Sequence, residues 1–128
     1  LLGAPLTHDF AAISLSDLLT PWERIASRLE AAAQADFVIV LYNPKSRRRH
    51  WQLQEAARII GRFRGPETVV GIVKKAMRTG QAVSMCALAE LEQAEVDMQT
   101  TVFIGSTQSR RYLDFMLTPR GYARKYQL

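Results

Sequence analysis

Phe37-Val38-Ile39-Val40-Leu41 is the run of sequence that decides the fold class of this chain. All five residues are apolar, the middle three are β-branched, and Tyr42-Asn43-Pro44 ends the run. Strands without polar alternation are buried on both faces of their sheet, as in the interior of α/β proteins. The run therefore predicts the central strand of a sheet that is covered on both faces.

The stretches on either side of this run alternate between strand-like and helix-like patterns. Further strands are predicted at residues 10–15, 69–73, 83–87 and 101–104, and helices at residues 21–34, 51–62 and 88–94. Thr20 is the predicted N-cap of the first helix, with Pro21 at its first position. The turn before residue 83 favours antiparallel pairing of strands three and four. This order predicts one α/β domain, a three-layer α/β/α sandwich with a five-stranded mixed sheet and helices on both faces.

Length and composition exclude several classes of protein. The chain has 128 residues, of which 48% are hydrophobic and 23% charged, as in a single folded domain rather than a disordered tail. No apolar run approaches the ~18 residues of a transmembrane helix. Cys86 is the only cysteine, which excludes an internal disulfide, and its apolar surroundings predict an inert thiol. We expect no metal site, because there are only two histidines, and a cytoplasmic setting.

The charge balance points to anionic partners. The chain has seventeen basic and twelve acidic residues, which gives a net charge of +5. The segment Lys45-Ser46-Arg47-Arg48-Arg49-His50 carries four of these positive charges directly after the buried strand. Arginine binds carboxylates and phosphates bidentately, so the segment is a candidate anion clamp. The alternatives are a solvated loop or a nucleic-acid site, although no aromatic residues are interleaved in it.

Two further groups of residues are candidates for chemistry. His8-Asp9 is the only His-Asp neighbour pair and is a candidate for proton transfer; the alternative is a surface histidine beside a turn-capping Asp9. Asn43 lies at the predicted ligand edge of the sheet, but Asn before Pro is also a common turn. The seven glycines form no G-x-G-x-x-G or Walker-type loop. This chain therefore has no recognisable phosphate-binding loop.

Five motifs of the chain match those of one enzyme family. They are Gly-Ala-Pro-Leu-x-His-Asp-Phe-x-x-Ile-Ser-Leu-Ser-Asp-Leu-Leu-Thr-Pro-Trp at 3–22, Tyr-Asn-Pro-x-Ser at 42–46, Val-Gly-Ile-Val at 70–73, Val-Asp-Met-x-Thr-Thr-Val at 96–102 and Thr-Pro-Arg-Gly-Tyr at 118–122. On these residues the chain resembles the tetrapyrrole methylases, and among them the precorrin-3B C17-methyltransferases of cobalamin biosynthesis. The resemblance spans residues 3–122.

The resemblance implies a fold, a reaction and a place in a larger enzyme. The family has two α/β domains, with S-adenosylmethionine folded in the cleft between them. This chain resembles the second, C-terminal domain; residues 1–9 resemble the interdomain linker, and the N-terminal domain with the cofactor loop is absent. The implied reaction is methyl transfer to C17 of precorrin-3B with ring contraction to precorrin-4. We expect the chain alone to be inactive and the enzyme to be a homodimer, without nucleic-acid or membrane partners.

The resemblance also implies site residues by position. Backbone at strand ends is expected to hold the adenosyl half of S-adenosylmethionine, which points to Leu41, Tyr42, Asn43, Lys75, Ala76, Thr100 and Thr101. His8 and Asp9 match the family's His-Asp stretch near the tetrapyrrole and are the catalytic candidates. Precorrins carry many acetate and propionate groups, so the predicted substrate-binding residues are Lys45, Arg47, Arg48 and Arg49. Lys75 departs from the family pattern, in which Asn is common at this place.

Other classes of function stay open beside this methyltransferase. One is another tetrapyrrole methylase of the corrin pathway. A second is a basic α/β module without catalysis, in which the charged loop and Arg110-Arg111 bind nucleic acid; salt-dependent binding to generic DNA or RNA would favour it. A third is a structural dimerisation domain with a solvated basic face. A glycine-rich strand-loop-helix encoded upstream of this chain would favour the enzyme.

Overall fold

The computed structural model describes residues 3–6, 9–44, 51–75, 79–94, 96–112 and 115–118. Its strands are β1 (Gly3–Ala4), β2 (Phe10–Ser14), β3 (Val38–Tyr42), β4 (Val69–Lys74), β5 (Ala82–Ala87), β6 (Thr100–Ile104), β7 (Arg110–Tyr112) and β8 (Phe115–Leu117). Its helices are α1 (Trp22–Gln34), α2 (Gln52–Ile60) and a 3-10 helix (Leu88–Gln93). Within these residues, no helix is long and apolar enough to cross a membrane.

The main sheet has five strands in the order β2-β3-β6-β4-β5. Strands β2 and β3 are parallel, while β6 is antiparallel to both β3 and β4, and β5 is antiparallel to β4. The predicted α/β class, the mixed five-stranded sheet and the antiparallel pairing of β4 with β5 are confirmed. The prediction that the strand at 37–41 is central was wrong, because β6 takes the middle place. Val38 and Ile39 of β3 are fully buried, so the apolar run records burial on two faces and not position in the sheet.

Helices α1 and α2 lie on the same face of the main sheet, with the 3-10 helix. Their buried side chains form one cluster with Ile39, Val70 and Val102, which point to that face. Strands β2, β3 and β4 run in the same direction, and each crossover steps the same way across the sheet. Two right-handed crossovers that step in one direction place both helices on one side. The expectation of helices on both faces therefore does not hold for the described residues.

The opposite face of the main sheet is covered by a small second sheet. Its three strands have the order β1-β8-β7, with β8 parallel to β1 and antiparallel to β7. Met116 of β8 is fully buried against Val73, with Val69, Met85 and Phe103 packed around them. The third layer in the described part of the chain is therefore a β-sheet and not the predicted second layer of helices.

Helix α1 is held in place by an apolar stripe. Ile25, Leu29, Ala32 and Ala33 recur at helical spacing and are buried against the sheet. The helix begins one residue later than predicted, because Pro21 has an extended ψ of 142° and acts as its N-cap. The Pro21 carbonyl accepts the first helical hydrogen bonds, and no side chain caps the helix. The prediction of Thr20 as N-cap was therefore wrong.

Arg64 forms hydrogen bonds with several segments of the chain at the edge of the main sheet where β6 ends. Its guanidinium donates to the carbonyl oxygens of Gly105 (2.6 Å), Ala32 (3.4 Å) and Phe37, although its side chain is almost fully buried. Its Nε lies 3.9 Å from the carboxylate of Asp36. Burial lowers the pKa of this guanidinium, while the negative charge of Asp36 acts in the opposite direction. One buried cation thus connects α1, the start of β3 and the end of β6.

Candidate functional site

The carboxyl ends of the parallel strands define one edge of the main sheet. Ser14 at the end of β2 pairs with Tyr42 at the end of β3, and Lys74 at the end of β4 pairs with Thr100 at the start of β6. Because β6 runs the opposite way, its first residues lie between the ends of β3 and β4. In α/β sheets, ligands bind outside the carboxyl ends of the strands. We call this the carboxyl edge.

Most of the predicted cofactor-binding residues lie at the carboxyl edge. Those that the structure describes are Leu41, Tyr42, Asn43, Lys75, Thr100 and Thr101. Their side chains differ in accessibility: Leu41 and Thr100 are buried, Thr101 is half-buried, and the other three are exposed. Leu41 therefore has only its backbone to offer a ligand. Ala76 lies outside the described residues.

Two of these residues have a left-handed backbone. Asn43 has φ 52° and Lys75 has φ 51°, and each directly follows the last residue of a strand. This conformation is rare for residues other than glycine, asparagine and aspartate, and it costs about 1–2 kcal/mol for an ordinary side chain. Such strain is concentrated at functional sites. It turns the chain sharply at both strand ends, on either side of the start of β6.

A tight turn before β6 fixes Thr100. The Asp97 carboxylate accepts hydrogen bonds from the backbone N–H of Gln99 (2.8 Å) and the hydroxyl of Thr100 (3.0 Å). The Gln99 carbonyl in turn accepts the backbone N–H of Lys75 (3.1 Å), which ties the turn to the end of β4. The N–H of Gln99 lowers the pKa of Asp97 most, with further lowering by the Thr100 hydroxyl and the nearby lysine charges. Asp97 is thus an anion that shapes the carboxyl edge.

Ser14 links the ends of β2 and β3. Its hydroxyl oxygen accepts a hydrogen bond from the Asn43 side-chain amide (3.2 Å), and the Leu15 N–H donates to the Tyr42 carbonyl (2.9 Å). Neither Ser14 nor Asp97 was singled out as a site residue from sequence. Two signals in the sequence could have identified them. Ser14 is a polar residue at the end of a strand, and Asp97 and Thr100 have the Asp-x-x-Thr spacing of a capped turn.

The structure does not bring Asp9 to the carboxyl edge. Asp9 is exposed just before β2, and its carbonyl accepts the N–H of Val38 at the start of β3. The five residues of β2, which span roughly 16 Å at about 3.3 Å per residue, separate it from Asn43. Its neighbour His8 lies outside the described residues. The predicted substrate-binding residues also lie outside them: Lys45, Arg47, Arg48 and Arg49.

Two other features flagged from sequence lie away from the carboxyl edge. Cys86 is half-buried on the edge strand β5 and packs against the core, and burial raises the pKa of its thiol, with Glu90 adding to the effect. The thiol is therefore protonated at neutral pH, in agreement with an inert role. Arg110 and Arg111 line a cavity of about 440 Å³ at the opposite end of β4 and β6.

The fold is that of the tetrapyrrole methylases. Uroporphyrin-III C-methyltransferase from Thermus thermophilus, solved in complex with S-adenyl homocysteine, superposes with a TM-score of 0.53 at 22% identity, over 78% of this chain and 42% of that one. The methyltransferase CobJ superposes with a TM-score of 0.84 at 36% identity, over 92% of this chain and 49% of that one. No family model matches the chain.

The relatives by sequence are cobalamin-biosynthesis enzymes. Cobalt-factor III methyltransferase from Priestia megaterium is 55% identical over 128 residues, which are all of this chain and 24% of that protein. Precorrin-3B C(17)-methyltransferase from Sinorhizobium sp. is 44% identical over 127 residues, 95% of this chain and 50% of that protein. The resemblance found by sequence is thus confirmed: the chain is homologous to part of the cobalt-factor III and precorrin-3B C17-methyltransferases. It spans half or less of the length of these two relatives.

Proposed function

We propose that this chain is the C-terminal domain of an S-adenosylmethionine-dependent methyltransferase of cobalamin biosynthesis. The substrate class is the tetrapyrrole named in its relatives, precorrin-3B or cobalt-factor III, methylated at C17 with ring contraction; for precorrin-3B the product is precorrin-4. The observation that carries the proposal is the 55% identity to cobalt-factor III methyltransferase over all 128 residues. Residues 1–9 are the proposed linker to an N-terminal domain that carries the cofactor loop. We further propose that the enzyme is a homodimer and is located in the cytoplasm.

The proposed cofactor site is the carboxyl edge. Backbone at Tyr42, Asn43 and Lys75 would contact the adenosyl half of S-adenosylmethionine, with Leu41, Ala76, Thr100 and Thr101 beside it. Support comes from the paired left-handed residues and from the turn that Asp97 holds between them. A bound S-adenosylmethionine supplies a methyl group on a sulfonium, which an acceptor carbon attacks in line. The part of this chain is to fix the orientation of that donor, since alignment of two reactants contributes ~7–11 kcal/mol to catalysis.

The proposed substrate contacts come from the basic loop. Lys45, Arg47, Arg48 and Arg49 would bind the acetate and propionate groups of the tetrapyrrole. Replacing the three arginines by alanine in the intact enzyme should raise the KM for the tetrapyrrole, and more so at low salt, because exposed charges are screened over ~8–10 Å. Steady-state kinetics at two ionic strengths measure this. An unchanged KM, or an increase independent of salt, would assign the loop to solvated surface.

His8 and Asp9 remain the proposed groups on the tetrapyrrole side. Because Asp9 lies at the opposite end of β2 from Asn43, it is distant from the cofactor site that we propose at the carboxyl edge. Its proposed contact is therefore with a distant part of the macrocycle. Replacing Asp9 by Asn should then raise the tetrapyrrole KM and leave the affinity for S-adenosylmethionine unchanged.

The test of the proposed function uses the two halves separately and together. The 128-residue chain alone should bind S-adenosylmethionine in the millimolar range or more weakly, a binding free energy of about 4 kcal/mol, and should transfer no methyl group. Mixing it with the half of the Sinorhizobium sp. relative that this chain does not match should restore methylation of precorrin-3B. Calorimetry and a radiolabelled methyl-transfer assay measure both. Micromolar cofactor binding or turnover by this chain alone would contradict the half-site, and salt-dependent binding to DNA would favour the nucleic-acid alternative.

A further inference from the structure

Ser14 occupies an unusual place at the carboxyl edge. Its hydroxyl oxygen accepts two hydrogen bonds, one from the Asn43 side-chain amide (3.2 Å) and one from the backbone N–H of Ser16 (3.2 Å). Ser14 and Asn43 are 29 residues apart in sequence, so the contact belongs to the fold and not to a local turn. The Ser16 bond fixes the hydroxyl oxygen, and the oxygen in turn fixes the amide of Asn43.

Asn43 needs such a restraint because its backbone is left-handed. A φ of 52° is a minority state even for asparagine, which keeps it only when its surroundings select it. The Tyr42 carbonyl is fixed from the same side by the N–H of Leu15 (2.9 Å). Asn43 itself is exposed, so burial restrains its side chain little. The hydrogen bond to Ser14 is the side-chain contact that the structure gives it.

We propose that Ser14 is a positioning residue of the cofactor site, which holds Asn43 in the left-handed conformation needed to bind the adenosyl group of S-adenosylmethionine. The inference rests on the proposed function, since it assigns a role to Ser14 in the same site. Ser14 acts through Asn43 and needs no contact of its own with the cofactor. Removing its hydroxyl frees the amide of Asn43 and lets the backbone leave the binding conformation.

The experiment is an NMR titration of the 128-residue chain, labelled with 15N and 13C, with S-adenosylhomocysteine. Below saturation, the slope of the amide shifts of Asn43 and Lys75 against ligand concentration is proportional to the affinity. Ser14→Ala should lower this slope about fivefold, the effect of one lost hydrogen bond. Ser14→Thr, which keeps a hydroxyl, should restore it to within about twofold. Ser84→Ala, an exposed serine of β5, is the matched control and should change nothing.

A double-mutant cycle separates positioning from a general loss of stability. In Asn43→Gly the side chain that Ser14 holds is gone and glycine adopts positive φ freely, so adding Ser14→Ala should lower the slope no further. The backbone carbon shifts of Asn43 in the ligand-free chain should leave their left-handed values in Ser14→Ala and keep them in Ser14→Thr. Thermal unfolding of each variant measures any purely structural effect.

Each outcome bears on a different claim. An unchanged slope in Ser14→Ala, or an equal loss in the Asn43→Gly background, overturns the role of Ser14 while the cofactor site stands. If the wild-type chain shows no ligand-dependent shift at Asn43 or Lys75, the proposed cofactor site itself fails, and the role of Ser14 fails with it. If Ser14→Ala lowers the melting temperature but neither the slope nor the Asn43 carbon shifts, the hydroxyl is only structural.

Discussion

At the carboxyl edge, the left-handed backbone of Asn43 agrees with the local preference of its residue type, whereas that of Lys75 is imposed by the fold. Asparagine is among the residues that tolerate a left-handed backbone, whereas lysine is not. Lys75 nevertheless has φ 51°, with its side chain extending toward Gly80, where a Cβ would lie 3.5 Å from the lysine Cδ. The hydrogen bond from the Lys75 N–H to Gln99 helps to impose this conformation.

Replacing Lys75 by Asn should therefore stabilise the chain. We expect a gain of about 0.5–1 kcal/mol in the free energy of unfolding, because asparagine adopts the left-handed region at lower cost. Urea denaturation measures the change. Lys74→Asn is the control, since Lys74 is the last residue of β4 and pairs with both neighbouring strands, where asparagine is unfavourable and should not stabilise. A loss of stability in Lys75→Asn would mean that the left-handed backbone at residue 75 does not lower the free energy of unfolding.

Asp97 should make the stability of the turn before β6 depend on pH. The N–H of Gln99, the Thr100 hydroxyl and the lysine charges lower its pKa below the ordinary value of 3.8. A carboxyl whose pKa is lowered on folding stabilises the fold above its unfolded pKa, and this stabilisation is lost as the pH falls through the folded pKa. The acid side of the stability profile should therefore contain a contribution from Asp97.

Asp97→Asn tests this contribution by chemical denaturation at several pH values. The variant should be less stable than wild type at pH 6, and the difference should shrink as the pH is lowered below about 4. Gln99→Ala keeps the backbone N–H that the carboxylate accepts, so its pH profile should match that of the wild type. A difference between Asp97→Asn and wild type that is constant with pH would exclude the ionic origin.

At the scale of elements, Arg64 supplies side-chain donors to backbone carbonyl groups at the end of the main sheet opposite the carboxyl edge. It satisfies carbonyl groups from α1, from the residue before β3 and from the residue after β6. Asp36, which is also left-handed at φ 62°, accepts the N–H of Thr107 at 2.9 Å and lies beside the same guanidinium. The contacts of Arg64 therefore join a helix end to two strand ends of the main sheet.

Arg64→Met should be strongly destabilising. Methionine has an apolar side chain of comparable reach but removes the arginine donor from the carbonyl groups of Gly105 and Phe37, while the Ala32 carbonyl keeps the N–H of Phe37. We therefore expect a loss of about 3 kcal/mol in the free energy of unfolding. Arg62→Met removes a positive charge from an exposed neighbour and should change stability by less than about 0.5 kcal/mol. Thermal and urea denaturation compare the two. Equal effects would show that charge, and not carbonyl satisfaction, matters here.

At the scale of the whole molecule, two apolar clusters lie on the two faces of one sheet. The larger one joins α1, α2 and the 3-10 helix to the main sheet, and the smaller one joins β8 to it through Met116 and Val73. Since both clusters share the strands of the main sheet, the described part of the chain should unfold as one cooperative unit. Among the described residues, the small sheet adds a layer whose buried Met116 packs against the main sheet.

Met116→Ala tests whether the small sheet is part of that unit. The side chain is fully buried, so the substitution should lower the free energy of unfolding by about 2–4 kcal/mol while a single transition is retained. Phe115→Ala alters the adjacent, exposed side chain and should cost much less. Calorimetry and circular dichroism follow the transition. Two separate transitions would show that the small sheet unfolds independently of the main one.

The sequence by itself determined the features that local pattern encodes. The five apolar residues of the run at 37–41 specified a strand buried on both faces, and helical spacing located α1 and α2 within two residues at each end. The motifs at the ends of the strands marked the family and the carboxyl edge. These predictions succeed because the periodicity of a segment depends on which of its faces are buried, and this does not depend on which other segment lies next to it.

Only the tertiary structure decided which segments become neighbours. It placed β6 between β3 and β4, both helices on one face, Asp9 at the far end of β2 and the Ser14 hydroxyl on the Asn43 amide. Each of these depends on pairing between residues far apart in the chain. An apolar run is equally buried in several strand orders, and a serine accepts a hydrogen bond from any donor within reach. One arrangement is selected by the free energy of contacts between distant residues, and these contacts exist only in the folded chain.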